Sequence, residues 1–231
     1  MAQVRLLGVD ACKEGWVVAE ASADLSELRF WLAPTTRRLF AAIDESTICA
    51  IDIPIGLPVD RPRACDLQAR QLLSPHGSRV FPAPSRGALG ATDYRECCSL
   101  NEGALGKGLS KQSHALLPKI REVDALMSAE LQERVREAHP EVTFQTLAGR
   151  KLTHEKKVVA GHIERWDILG EAGCWIDLGR VPGLREMRAA LDDVLDATAC
   201  LLTAHRLARG VAQPLGDGSR DAKGLRMEIV G

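Results

Sequence analysis

Two apolar runs, each closing on an aspartate, constrain this chain most. Val4-Arg5-Leu6-Leu7-Gly8-Val9-Asp10 reads as a strand ending in a carboxylate, and Ile48-Cys49-Ala50-Ile51-Asp52 is apolar at every position before its own terminal acid. A run without polar alternation belongs to a strand covered on both faces, which calls for a layered α/β architecture. Between the two runs, Gly15–Glu20 and Leu28–Leu32 read as further strands. Only four residues separate Asp10 from Gly15, a gap that favours an antiparallel meander. Leu39, Phe40 and Ile43 at helical spacing predict a short helix within residues 35–44.

The texture changes after Asp52. Six of the eleven prolines fall between Pro54 and Pro84, and residues 54–121 carry ten Lys/Arg against five Asp/Glu. That segment is therefore +5 in a chain whose net charge is −1, leaving −6 for the rest. It reads as a basic, irregular, Pro-rich insertion at about 54–110. A helix is expected from Ser110, with Pro118 interrupting or restarting it. A short strand is expected over 134–138, and a helical stretch over 154–169. The clearest helix runs from Leu184 to Leu207 and ends at Gly210. One face of it, Asp193, Ala197, Cys200 and Ala204, is small enough for close approach to a sheet. Leu225–Val230 reads as a final strand.

At 231 residues the chain suits one large domain or two small ones, and it reads as a single domain over 1–231. An apolar share of 45% and a charged share of 26% exclude disorder, collagen and a coiled-coil rod. The near-zero net charge excludes a polycation that coats nucleic acid, though not a local basic face. No run approaches the ~20 apolar residues of a membrane span, and Met1–Arg5 leads straight into a strand, so neither membrane nor signal peptide is expected. The seven cysteines form no C-x-x-C pair and read as reduced thiols of a cytoplasmic protein. The oligomeric state is left open, a homodimer included.

Candidate chemistry lies in the acids. If the first strand and the two later ones are parallel neighbours, their carboxyl ends open on one edge, where α/β sheets place their sites. Asp10, Asp52 and Glu141 then converge there. Asp193 and Asp196, three apart and well inside the last helix, add to them, and Asp192 is four from Asp196. Clustered carboxylates repel and raise one another's pKa, which a divalent cation relieves. Oxygen ligands without His or Cys at metal spacing select Mg²⁺ or Mn²⁺. Such ions can activate water and stabilise the leaving oxygen of a phosphodiester. Taken singly, each acid also fits a turn, cap or helix-dipole role.

An ordered series of motifs carries a resemblance. Gly8-Val9-Asp10 with Gly15-Trp16 is followed by Ile51-Asp52-Ile53-Pro54-Ile55-Gly56-Leu57, then Arg63-Ala64-Cys65-Asp66 with Ala69-Arg70, then Ser78–Pro84. Gly108–Gln112, Lys119–Asp124, His139-Pro140-Glu141 and Asp192–Ala197 complete it. The chain resembles a family of predicted RNase H-like nucleases catalogued as domain of unknown function 429. The resemblance implies an RNase H-like α/β fold: a mixed five-stranded sheet, strands one to three antiparallel, strands four and five parallel to strand one, helices on both faces. It implies a metal-dependent nuclease in which Asp10, Asp52, Asp193 and Asp196 hold Mg²⁺ or Mn²⁺, Asp10 bridging the ions and water attacking. Glu141, the fifth candidate catalytic acid, has no counterpart in that superfamily's ligand set. With nucleic acid as partner, Arg63, Arg70, Arg79, Arg86, Lys111, Gln112 and Lys119 become candidate substrate contacts. Phe81 is a stacking side chain or a loop anchor.

Rival readings are a non-catalytic nucleic-acid-binding or scaffold module on the same fold, and an actin-like or sugar-kinase-like phosphotransferase. The second needs two domains and a second Gly-rich loop. Gly103–Ser110 lacks the G-x-x-x-x-G-K-[ST] spacing of a phosphate loop. No spacing pairs Cys65 or Cys97 with His76 or His114 for thiol catalysis.

Overall fold

The computed structural model describes residues 4–231. In chain order the elements are β1 (Arg5–Cys12), β2 (Gly15–Ser22), β3 (Arg29–Ala33), α1 (Thr36–Phe40), β4 (Thr47–Ile51), α2 (Ala64–Leu72), α3 (Tyr94–Leu105), α4 (Lys111–Leu126), β5 (Val135–Glu137), α5 (Pro140–Ala148), α6 (Val159–Glu171), α7 (Leu191–Ala208), β6 (Pro214–Leu215) and β7 (Ile229–Val230). Packing divides them into two compact units. The first comprises residues up to 53 with 134–213 and 230–231; the second comprises 54–133 and 214–229. The basic segment expected at about 54–110 lies within the second unit.

The first unit is built on a five-stranded mixed sheet of order β3-β2-β1-β4-β5. β1, β2 and β3 form the antiparallel meander, whereas β4 runs parallel to β1 and β5 parallel to β4. The register Val9↔Ile51 puts Asp10 and Asp52 side by side, one step past the last paired residues of β1 and β4. The Asp52 N–H still donates to the Val9 carbonyl at 2.9 Å. Strand alternation sends both carboxylates to the face that bears α7. α1 covers the opposite face, where the Trp16 indole donates to Thr36 Oγ1 at 3.1 Å.

α7 lies across β1, β4 and β2, with every residue from Val194 to Ala204 buried. The expected small face is there, and the sheet matches it with Gly8. A Cβ on Gly8 would sit 2.0 Å from the Leu201 nitrogen and 2.1 Å from the Ala197 carbonyl oxygen. Both atoms are helix backbone and cannot rotate away. Gly8→Ala therefore has to lift α7 off β1. In urea titration it is expected to cost about 3 kcal/mol or more, the upper end of overpacking penalties.

Several boundaries differ from the sequence reading. α7 begins at Leu191 rather than Leu184, because the Asp193 carboxylate accepts the Ala190 N–H at 3.0 Å and fixes the first turn there. The helix expected over 154–169 starts at Val159, its first residues forming bends and a turn closed by the Val158 N–H on the Glu155 carbonyl at 3.3 Å. Only Ile229–Val230 of the expected last strand is strand. α4 passes through Pro118 without ending.

The second unit is more helical than its prolines suggest. α2 buries Cys65, Asp66 and Ala69, and α3 buries Cys97 and Asn101. A small cluster of Ala88, Cys97, Leu109 and Leu117 packs α3 and α4 together. Arg63 and Asp66 form a buried ion pair at 2.6 Å, and the Arg63 guanidinium also donates to the carbonyls of Ile55 and Gly56.

Candidate functional site

The carboxyl ends of β1 and β4 carry Asp10 and Asp52, and α7 brings Asp196 over them. Asp10 is 7% exposed and Asp196 2%. Burial pushes the Asp10 carboxyl well above its ordinary range, and repulsion from Asp196 and Asp52 adds to it, with Lys156 opposing. Burial likewise raises Asp52, with Glu141 adding and His139 and Lys156 opposing. Asp196 is pushed up to about 7, chiefly by burial, while Lys156 holds it down and Asp52 and Glu141 add repulsion. These three acids, far apart in sequence, thus share one electrostatic neighbourhood. Asp196 Oδ1 is buried with no hydrogen-bond partner among the described residues.

Lys156 supplies the positive charge in this neighbourhood. Its ammonium forms an ion pair with Asp196 Oδ2. Burial lowers its pKa, but Asp196, Asp10 and Asp52 together outweigh that and raise it. Nothing in the sequence marks Lys156 out from its neighbour Lys157. His139, the residue that leads from β5 into α5, opposes the rise of Asp52, and its Nδ1 is buried without a partner among the described residues. The motif His139-Pro140-Glu141 signals this position, although the sequence reading put its weight on Glu141.

Asp193 and Glu141 act on these acids by their charge and also have partners of their own. Asp193 lies in the first turn of α7, half-buried, with its carboxylate on the Ala190 N–H. Burial raises its pKa, and the Ala190 N–H holds it down. Glu141 opens α5 and is gripped by Arg165 of α6, whose Nη2 reaches both carboxylate oxygens at 2.6 and 2.8 Å and whose Nε adds a third bond at 2.8 Å. Glu141 still lies near enough to raise Asp52 and Asp196. Cys200, one turn beyond Asp196, has its thiol pushed well up by burial and by Asp52, Asp10 and Asp196, so it stays protonated.

All seven candidate substrate contacts belong to the second unit. Arg63 does not offer its guanidinium to solvent: it is 2% exposed and engaged by Asp66. Arg86 bonds Asp124 through both terminal nitrogens at 3.1 Å and also pairs with Asp221. Lys111 and Gln112 are exposed in the first turn of α4, while Arg70, Arg79 and Lys119 are half-buried. Phe81 is 45% exposed.

For the expected Mg²⁺ or Mn²⁺, the donor chemistry fits: hard carboxylate oxygens, mutual repulsion, one oxygen of Asp196 without a partner. Yet among the described residues no group of three or more His, Cys, Asp or Glu is drawn together tightly enough to hold a metal ion. The ammonium of Lys156 is paired with Asp196, and Asp10 and Asp52 lie near enough to act on its charge.

No helix of the described residues is long and apolar enough to cross a membrane. No curated protein and no solved structure matches the chain. Residues 8–220 match the family described as protein of unknown function (DUF429), a span that begins within β1 and takes in β4, β5 and all of α7, and the chain belongs to that family.

Proposed function

We propose that the chain is an RNase H-like, metal-dependent nuclease that hydrolyses phosphodiesters of nucleic acid. The observation that carries this reading is one neighbourhood of acids: Asp10 and half-buried Asp52 at the carboxyl ends of adjacent parallel strands, and buried Asp196 of α7 beside them. The strand order and directions, three antiparallel and two parallel to the first, support it.

Asp10, Asp52 and Asp196 would hold Mg²⁺ or Mn²⁺. A bound divalent ion supplies charge for the developing oxyanion and lowers the pKa of a water. The chain's own residues do the rest. Packing of α7 on Gly8 fixes Asp196 over Asp10, and the Asp52 N–H bond to Val9 fixes the second acid. His139 Nδ1 is a polar group next to Asp52 that can take or give a hydrogen bond to an incoming phosphate or water. Exposed Lys111 and Gln112 and half-buried Arg70, Arg79 and Lys119 remain candidate substrate contacts under this reading. Seven free thiols, six of them buried, suit a reducing compartment such as the cytoplasm.

The test is incubation with labelled single-stranded, duplex, hybrid and branched DNA and RNA in Mn²⁺. Cleavage of at least one substrate is expected, lost in Asp52→Asn. No cleavage of any substrate, with wild type and Asp52→Asn alike, would overturn the reading. A second reading, a non-catalytic nucleic-acid-binding module, is favoured by one observation: Lys156 already neutralises Asp196. Such a module would bind nucleic acid equally well with and without Mn²⁺.

A further inference from the structure

The segment joining α5 to α6 is pinned at several points, and it delivers one side chain to the acids. Glu164 of α6 turns back on this strap: its carboxylate accepts the Thr153 N–H through both oxygens, at 2.9 and 3.1 Å, and the His154 N–H at 2.9 Å. Arg150 closes the loop on the same carboxylate at 2.6 Å. The strap backbone then presses on the first turn of α6. A Cβ on Gly161 would lie 1.9 Å from the Glu155 carbonyl oxygen, so only glycine admits the crossing. The next residue is Lys156. Its side chain is 31% exposed, whereas that of Asp196 is 3% exposed. The lysine thus reaches in from the solvent side, with a path back out.

An ammonium and a divalent ion cannot share a few cubic ångströms beside the same carboxylates without strong repulsion. One positive charge also leaves three acids under-neutralised, which favours the ion of higher charge. We infer that Lys156 and a divalent ion are alternative counter-charges for the Asp10–Asp52–Asp196 cluster, and that the 150–158 strap is the latch carrying one of them in and out. This rests on the reading of the cluster as a metal site. Occupation by lysine offsets part of the acids' charge; withdrawal of the strap opens them to the metal.

Mn²⁺ binding by titration calorimetry, with melting curves, tests this on the full chain without any nuclease assay. Lys156→Met keeps the stem and removes the charge. It is expected to bind Mn²⁺ roughly ten-fold more tightly than wild type, the scale of removing one like charge nearby. It should also melt lower than wild type without the ion and recover with it. Glu164→Gln, which loosens the strap and leaves the cluster untouched, should move affinity the same way by a smaller factor, and it serves if Lys156→Met does not fold. Wild type and both variants binding Mn²⁺ equally, or the variants more weakly, would overturn the latch and leave the metal site standing. Absence of Mn²⁺ binding in all three would overturn the metal-site reading, and the latch with it. Tighter binding in the variants with no cleavage by any of them would uphold the latch and remove the nuclease.

Discussion

Asp10→Asn is expected to melt at a higher temperature than wild type and to lose cleavage. Both effects have one origin. Asp10 is buried against two other acids, and burial with that repulsion raises its pKa well above the ordinary 3.8. A carboxyl that binds its proton more tightly when folded gives the folded chain extra protons, so stability falls as pH rises across the window between the two pKa values. For Asp196 that window runs from the ordinary 3.8 to about 7. Replacing Asp10 by an amide removes one member of the repelling set. The gain should shrink as pH falls toward the ordinary 3.8, vanish well below it, where all members are protonated in both states, and be largest near pH 7–8. In a chain of this size each kcal/mol of relief is about 2–4 °C in Tm. On the proposed metal-site reading the same substitution removes a charged oxygen ligand; ion-assisted stabilisation is worth several kcal/mol, so cleavage should drop about a thousand-fold or more. Thermal melts at pH 4 and pH 8 beside a Mn²⁺ cleavage assay make the measurement. A variant that melts lower than wild type at pH 8 would show that Asp10 is a structural acid satisfied in place.

Asp10 and Asp52 are legible in the sequence because a strand end is a local property. An unbroken apolar run fixes the strand, and the acid that stops it marks the edge. The meander follows from connection length, whereas the parallel direction of the later strands comes only from the family resemblance. Side-chain duties set by partners far along the chain are not legible in this way. Asp193 reads as interior to a helix, but a single bond to the Ala190 N–H moves the helix start and turns that acid into a cap. Lys156 reads as one of a basic pair; its position depends on Glu164 and Gly161 holding backbone that no periodicity describes. α2 and α3 escape a search for apolar periodicity because their buried faces are Cys65, Asp66 and Ala69, and Cys97 and Asn101. Arg63 reads as a phosphate ligand by its charge, although Asp66 three residues on is the available signal for an internal pair.

Arg165→Met is expected to be among the most destabilising single substitutions in the first unit. The Arg165 side chain has no exposure and that of Glu141 6%. The guanidinium also donates to the Gly161 carbonyl at 2.9 Å and lies 5.6 Å over the Phe144 ring. Removing the cation takes the bidentate guanidinium from a buried carboxylate that lies close enough to Asp52 and Asp196 to strengthen their repulsion. Breaking a buried pair from one side costs about 3–5 kcal/mol, whereas replacing both partners by apolar groups is often neutral. Arg165→Met should therefore lose about 3–5 kcal/mol in urea unfolding, and the double variant with Glu141→Leu should regain much of it. Full recovery is not expected, since the Gly161 carbonyl stays without its donor. Because Gly161 lies under Glu155, the single variant should also free the Lys156 strap, visible as faster amide exchange at Thr153 and His154, whose N–H groups are bonded to Glu164. A loss below about 1 kcal/mol, with exchange at those two amides unchanged, would mean that Glu141 and Arg165 do not brace the floor of the acidic site.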